Sequence, residues 1–303
     1  MKKMHYWAIG LLTLIAGMNT SCSDEIEGEI PSEKAELKIT ADMGGYDKED
    51  SKAIFTGTSF ADGAHIGVYV LNSSGSAYDG QACTNLDYSV SSSKWSCAKT
   101  TYLSATAGTV YAYYPYNSGW DIGAIAVTAT TSPGGGTDYM YATPKSVSQA
   151  STTAALTMNH ALVAVKVSIK RGTYTGTGKV TALTWKCAGA GTGGTLNAKT
   201  GAISSPTGGS TDFNTGLTAD NTYTITTTAK DYVFMAVPTG TAGGVTFNVT
   251  MDGKTFSVTS SSVTLAKGKQ YQYVLQMDSK TMSLKATLTD WAAQTQENLK
   301  PSF

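Results

Sequence analysis

The segment AELKITADM, residues 35–43, decides the fold class, because apolar and polar side chains alternate along it without interruption. Successive side chains of an extended chain point to opposite faces, so a period of two predicts a strand that is half buried and half solvated. We therefore expect the ordered part of the chain to start with a β-strand. The residues of its apolar face are Ala35, Leu37, Ile39, Ala41 and Met43.

The same alternation returns near the other end of the sequence, in MSLKATLTDW at residues 282–291. Ser, Lys and Thr occupy its second face, so this segment also predicts a half-buried strand. Two predicted strands of the same type therefore lie on either side of the central part of the sequence. The apolar face of the second strand consists of Met282, Leu284, Ala286 and Leu288, and the segment ends at Trp291.

Runs rich in β-branched and aromatic residues fill the sequence between these two segments, and Gly, Asn and Asp turn signals separate them. Short strands at this spacing predict an all-β chain of antiparallel β-sandwiches with almost no helix. The loop-rich stretch 130–153 is the expected boundary between two domains, residues 53–155 and 156–303. The predicted strands are 66–71, 111–116, 124–129, 161–169, 181–187, 222–227, 232–238, 245–251, 255–260 and 270–277.

The balance of charges excludes one class of function, and the length limits the number of domains. Lys+Arg 22 balance Asp+Glu 22, so the chain has no basic field to attract nucleic acid or anionic lipid. A nucleic-acid partner is therefore not expected. About 280 residues remain after the N-terminal signal described next, which suits two domains or one large all-β domain.

The N-terminus has the order of a secretory signal: Lys2 and Lys3, an apolar run at 6–17, small polar residues and then Cys22. The run is shorter than the ~20 residues of a membrane-spanning helix. We interpret 1–21 as a lipoprotein-type signal peptide and Cys22 as the acylated first residue; an ordinary signal with an incidental cysteine is the alternative. The acidic residues that follow predict a solvated tether, so 22–52 holds this tether and the first strand.

The remaining cysteines predict little chemistry. Cys83 and Cys97 flank a predicted hairpin and could form a disulfide in an oxidising compartment, depending on the strand register. Cys187 is then left over and is expected to be buried as a small apolar residue.

No catalytic, metal or cofactor site is expected. His65 and His160 have no cysteine or carboxylate at metal-ligand spacing, so each is interpreted as a hydrogen-bonded residue at a strand end. Gly189, Gly191 and Gly194 match G-x-G-x-x-G, but no amphipathic helix follows to hold a pyrophosphate, which favours a hairpin loop. We therefore predict that the protein is not an enzyme.

Aromatic residues offer a second kind of site. Trp95, Trp120 and the Tyr113–Tyr114 pair could stack on a sugar ring, although core packing is the favoured interpretation.

Taken together, the sequence resembles the fimbrillin family, the lipoprotein-derived type V pilins of Gram-negative anaerobes. The resemblance covers nearly the whole chain and depends on the order of several degenerate pieces. These are the signal ending at Cys22, AELKITADM, SKAIFTGTSFADGAHIGVYV, YAYYPYN, DYMYATP, MNHALVAVKVSI, KGKQYQYVLQM and TLTDW.

The resemblance implies two tandem transthyretin-like β-sandwich domains and a place on the outer membrane, held by lipid on Cys22. It also implies that a protease cuts after a basic residue, here Lys52 before Ala53, and removes the strand 35–43. A C-terminal donor strand from the next subunit, within 282–303, would then fill the emptied groove, and repetition would build a homo- or hetero-polymeric fimbria for cell adhesion.

The cleavage site departs from the family pattern. Stalk subunits usually offer Arg there, whereas the one arginine in this sequence is Arg171, within the second predicted domain. Either the protease accepts Lys52, or the chain stays uncut as a lipidated anchor. A surface lipoprotein that binds a host glycan or protein receptor is a further alternative.

Overall fold

Strands and turns make up the chain in the computed structural model, which describes residues 35–44, 59–279, 281–290 and 294–295. The predicted signal peptide 1–21, Cys22, Lys52, Ala53 and Trp291 lie outside the described residues. Within the described part, the one helical element is a 3₁₀ turn at Tyr78–Gly80, and no helix is long and apolar enough to cross a membrane. The all-β prediction is confirmed.

The first half of the described chain contains eleven strands. They are β1 Ala35–Glu36, β2 Lys38–Met43, β3 His65–Leu71, β4 Leu86–Ser91, β5 Lys94–Ser96, β6 Tyr102–Leu103, β7 Gly108–Tyr114, β8 Ile125–Thr128, β9 Met140–Ala142, β10 Lys145–Val147 and β11 Thr153–His160.

The second half contains thirteen strands. They are β12 Val163–Arg171, β13 Lys179–Lys186, β14 Ala190–Gly191, β15 Gly193–Asn197, β16 Ala202–Thr207, β17 Phe213–Asn214, β18 Tyr223–Thr224, β19 Lys230–Pro238, β20 Ala242–Met251, β21 Lys254–Thr264, β22 Lys269–Met277, β23 Met282–Asp290 and β24 Gln294–Thr295.

The first half is built on one large sheet. Its strand order is β2-β11-β9-β7-β3-β4-β5, with β10 on β7, while β1 pairs separately with β6. Alternate residues of these strands point into one apolar core, which includes the fully buried side chains of Ile66, Val68, Val110 and Met158. This core is the expected product of period-two strands that each bury one face.

The second half is a sandwich of two sheets around a shared core. One sheet has the order β14-β19-β12-β22-β23-β24, and the other has the order β17-β13-β20-β21, with β18 on β13. Between them, the Trp185 ring stacks on Phe213 at 4.3 Å between centroids and meets Phe234 edge-on. Large aromatic side chains of this kind dominate the area buried in a sandwich core.

The two halves are joined by a common small sheet and a common apolar core, and no linker separates them in the described part of the chain. β8 from the first half pairs with β15 in a small sheet, β16-β15-β8, and a third apolar core takes Tyr113 and Ile125 from one half and Leu162 and Val237 from the other. The chain leaves the first sheet at His160 and enters the second at Val163. The boundary expected between residues 155 and 156 falls inside β11, and the described residues on both sides of it belong to one compact unit.

Two strand pairs depart from the antiparallel expectation. β2 runs parallel to β11, and β12 runs parallel to β22. Parallel neighbours need a long connection between them, and here each pair joins strands far apart in the sequence. A pattern within one strand carries no information about such a partner.

Candidate functional site

The strand at residues 35–43 occupies the edge of the first sheet and has two successive partners. β1 pairs antiparallel with residues 102–103, and β2 pairs parallel with residues 153–158. At the junction the Leu37 N–H donates to the Thr101 carbonyl and the Lys38 N–H to the Thr152 carbonyl, both at 2.9 Å. Backbone hydrogen bonds thus hold the whole strand in a groove between residues 101–103 and 152–158, called the first-strand groove below.

The buried face of this strand is the one that the alternation predicts. Leu37, Ile39 and Ala41 are only 8%, 5% and 8% exposed and join the core of the first half, whereas Lys38 and Asp42 face solvent. Ala35 and Met43, at the two ends of the same face, are half-buried. The strand therefore closes the apolar core along one edge.

The wall of the groove that β11 forms is apolar on the same face. The register places Ile39 beside Ala154, Ala41 beside Leu156, and Met43 beside Met158. These three residues of β11 are buried. An empty groove would expose this apolar row together with unpaired backbone N–H and C=O groups.

Strand β23 lies next to the edge strand β24 in one sheet of the sandwich that forms the second half. It pairs antiparallel with β22 on one side and with β24 on the other. Met282 is half-buried against the core of the second half. The side chains of Leu284, Ala286 and Leu288 lie outside the described part, but their register partners Leu275, Tyr273 and Tyr271 are all buried.

The turn between β22 and β23 is anchored to a neighbouring loop. The backbone N–H of Thr173 donates to Asp278 Oδ1 at 2.9 Å, and Ser279 Oγ donates to the Thr173 carbonyl at 2.7 Å. The Thr173 N–H holds the pKa of the Asp278 carboxyl below its ordinary value, because this hydrogen bond favours the charged form. The root of β23 is thereby held in place.

A model of the fimbrillin-like family matches residues 52–291, most of the chain. The chain belongs to the fimbrillin-like family. Proteins of this family are structural subunits, so this fimbrillin-like chain is a structural protein and not an enzyme. The match starts at residue 52, so β1 and β2 precede it.

Solved structures share the fold of this fimbrillin-like chain. A candidate cell adhesion protein from Bacteroides uniformis is 20% identical with a TM-score of 0.63, covering 85% of this chain and 99% of that one. A second such protein, from Bacteroides ovatus, is 16% identical with a TM-score of 0.66, covering 86% and 99%. A fimbrial protein from Bacteroides vulgatus is 14% identical with a TM-score of 0.54, covering 84% and 99%. No curated protein matches the sequence.

Two of the three histidines in the sequence, His65 and His160, lie among the described residues, and each is at a strand end, as predicted, and contacts a carboxylate. His65 Nδ1 lies 2.7 Å from Asp87, and His160 Nδ1 lies 2.9 Å from an Asp138 oxygen. Each aspartate is 22 residues from its histidine, so sequence spacing did not reveal the pair. No group of three or more metal-ligating side chains occurs within the described ranges.

The disulfide considered for Cys83 and Cys97 is not formed, and both are free thiols. The hairpin of β4 and β5 pairs Ser89 with Ser96, and this register puts Cys97 across from Tyr88, five residues beyond Cys83. Disulfide geometry needs Cα atoms within about 7 Å. Cys187 is also a free thiol and is buried, as expected.

The aromatic residues considered for sugar binding pack against other aromatic rings. Trp95 meets Phe60 edge-on at 5.3 Å, Trp120 lies 5.7 Å from Tyr113, and Tyr113 is fully buried. Tyr114 also contacts Phe60. Core packing is confirmed as their main role.

The glycine motif is likewise structural. Gly191 belongs to β14, and Gly194 belongs to β15, which continues as a strand paired with β16 and β8. Since a strand and not a helix follows the motif, no helix N-terminus is available for a phosphate.

Proposed function

We propose that this chain is a polymerising subunit of a surface fimbria that assembles by strand exchange. It is exported as a lipoprotein on Cys22 and displayed on the outer membrane. Cleavage between Lys52 and Ala53 then removes residues 35–43, and strand β23 of the next subunit enters the first-strand groove.

The observation that carries this proposal is the position of residues 35–43. The longer part of this strand, β2, is the edge strand of the first sheet, and the Leu37, Ile39 and Ala41 side chains complete the apolar core. Losing it leaves an apolar row and unpaired backbone groups, and both are costly to leave open. A strand of the same period from another subunit can satisfy both requirements.

The strand β23 suits the role of donor because it has the same alternation of apolar and polar side chains as residues 35–43. Since the groove is in the first half and the donor in the second, the contact joins different surfaces of two copies. A head-to-tail contact of this kind extends into an open filament and does not close on itself as a two-fold dimer does.

An uncut, lipidated anchor subunit is the alternative in which Lys52 is not a substrate. Glycan binding has no support of its own, because Trp95 and Trp120 contact other aromatic rings.

The test compares Lys52→Gln with the matched control Lys48→Gln, which changes the same residue type four positions earlier. Both chains are expressed on the cell surface, and mass spectrometry identifies the mature N-terminus. We expect wild type and Lys48→Gln to start at Ala53 and to give SDS-resistant ladders, and Lys52→Gln to keep acylated Cys22 and give none. Wild-type protein that starts at acylated Cys22 and remains monomeric would refute polymerisation in favour of the anchor.

A further inference from the structure

Side-chain size is complementary at two successive inward-facing positions of the first-strand groove. The large Ile39 lies beside the small Ala154, and the small Ala41 lies beside the large Leu156. These four residues are all buried, with Ile39 and Ala41 at 5% and 8% exposed. Because protein interiors are close-packed, each position of the groove accepts one size of side chain better than the other.

The donor strand repeats the order of sizes that the groove holds. The apolar face of residues 35–43 reads large, large, small, large at Leu37, Ile39, Ala41 and Met43. The apolar face of β23 reads large, large, small, large at Met282, Leu284, Ala286 and Leu288. Alanine is the small residue in both.

We propose that β23 of one copy of this chain enters the groove of the next with Ala286 in the place of Ala41, running parallel to β11. Leu284 then takes the place of Ile39 beside Ala154, and Leu288 the place of Met43. This register rests on the proposed function, which it makes specific in partner, direction and alignment.

A second, alternative register has higher sequence identity between the two strands but fits the side-chain sizes of the groove less well. Aligning Leu284 with Leu37 matches LKATL to LKITA, with Leu, Lys and Thr identical. It also places Ala286 beside Ala154, which leaves a cavity, and Leu288 beside Leu156, which overfills the site. Both errors destabilise a packed core.

The opposite strand direction fails for a different reason. If Ala286 replaces Ala41 in a reversed strand, Asp290 falls at the position of Leu37, which is 8% exposed. Burying a carboxylate in an apolar groove without a partner is costly. The parallel direction places only Met282 there.

Cysteine cross-linking of the fibre tests the register. Thr40 pairs with Ala155, and both are exposed. In the proposed register Lys285 takes the place of Thr40, so Ala155→Cys with Lys285→Cys, in a Cys97→Ser background, should form a disulfide between subunits. Directly paired strand residues lie within the ~4.4–6.8 Å between Cα atoms that a disulfide needs.

The matched control is Ala155→Cys with Thr287→Cys, which should not cross-link. A fibre that cross-links through Thr287→Cys and not through Lys285→Cys would overturn the proposed register, since both the second register and the reversed strand bring Thr287 to Ala155. A chain that is cut at Lys52 but forms no ladder would instead overturn strand exchange itself, and the register with it.

A peptide of residues 281–291 provides a test independent of how variants of the whole chain fold. Added during processing, the wild-type peptide should block ladder formation. The Ala286→Leu peptide should need a concentration at least about 10-fold higher to block ladder formation, because leucine overfills the site beside Leu156. A control peptide with Lys285→Gln should block at the same concentration as wild type. An Ala286→Leu peptide that blocks as well as wild type would overturn the register. On an acceptor chain that carries Leu156→Ala, the Ala286→Leu peptide should again bind as the wild-type peptide does.

Discussion

Replacing Ile39 by alanine should loosen the first strand selectively. Ile39 is 5% exposed and packs in the core of the first half, so its truncation is expected to cost about 2–4 kcal/mol. Within the described residues β2 pairs only with β11, so it can open without unfolding the rest of the sheet. At about 1.4 kcal/mol per factor of ten, the open state becomes roughly 30- to 700-fold more populated.

Native-state hydrogen exchange with mass spectrometry measures this opening. Amides in a peptide covering residues 35–44 of the Ile39→Ala variant should exchange faster by that factor, while β12 amides serve as the internal reference. The control is Thr40→Ala, whose side chain is exposed on the other face and whose effect should stay within about 0.5 kcal/mol, or about twofold.

Equal exchange in the two variants would refute the reasoning, because it would mean that the buried face does not hold the strand. A uniform loss of protection that includes β12 would also refute it, since it would show that the strand cannot open separately from the second half.

Three further outcomes follow from contacts outside the groove. The Gly178 N–H holds the pKa of the Asp252 carboxyl below its ordinary value, so wild-type stability should fall as pH drops below about 4 and through the folded-state pKa. Asp252→Asn should flatten this dependence of the thermal midpoint on pH. Arg171 donates to four backbone carbonyls, so Arg171→Lys should lower the free energy of unfolding in urea by about 1–3 kcal/mol; an unchanged value would count against this role. Burial raises the pKa of the Cys83 thiol, so brief iodoacetamide treatment should alkylate half-buried Cys97 first, and mass spectrometry showing the reverse order would contradict the fold of this hairpin.

Much of the strand content was accessible from sequence because it depends on local periodicity. The alternation at residues 35–43 identified both the strand and its buried face, and the runs at 66–71, 232–238 and 270–277 each correspond to a strand. Strands inside the loop-rich stretch were missed, since β9 and β10 are only three residues long and carry no measurable period.

The sequence also predicts only part of the candidate site. The two alternating segments, 35–43 and 282–291, and their order of large and small residues can be read from the sequence. Their partners cannot, because β2 meets β11 across a long connection, and the register that sets Ala41 beside Leu156 depends on how the sheet closes.

The sequence by itself determined that this is an all-β protein bracketed by two amphipathic strands, since alternation is a property of neighbouring residues. Tertiary structure alone decided that Cys83 and Cys97 stay apart and that His65 and His160 each contact an aspartate. It also decided that the two halves share an apolar core, and that Ile39 lies beside Ala154 and Ala41 beside Leu156 in the first-strand groove. Each of these depends on residues brought together from distant parts of the chain. Their placement follows from packing of the whole molecule and not from any local pattern.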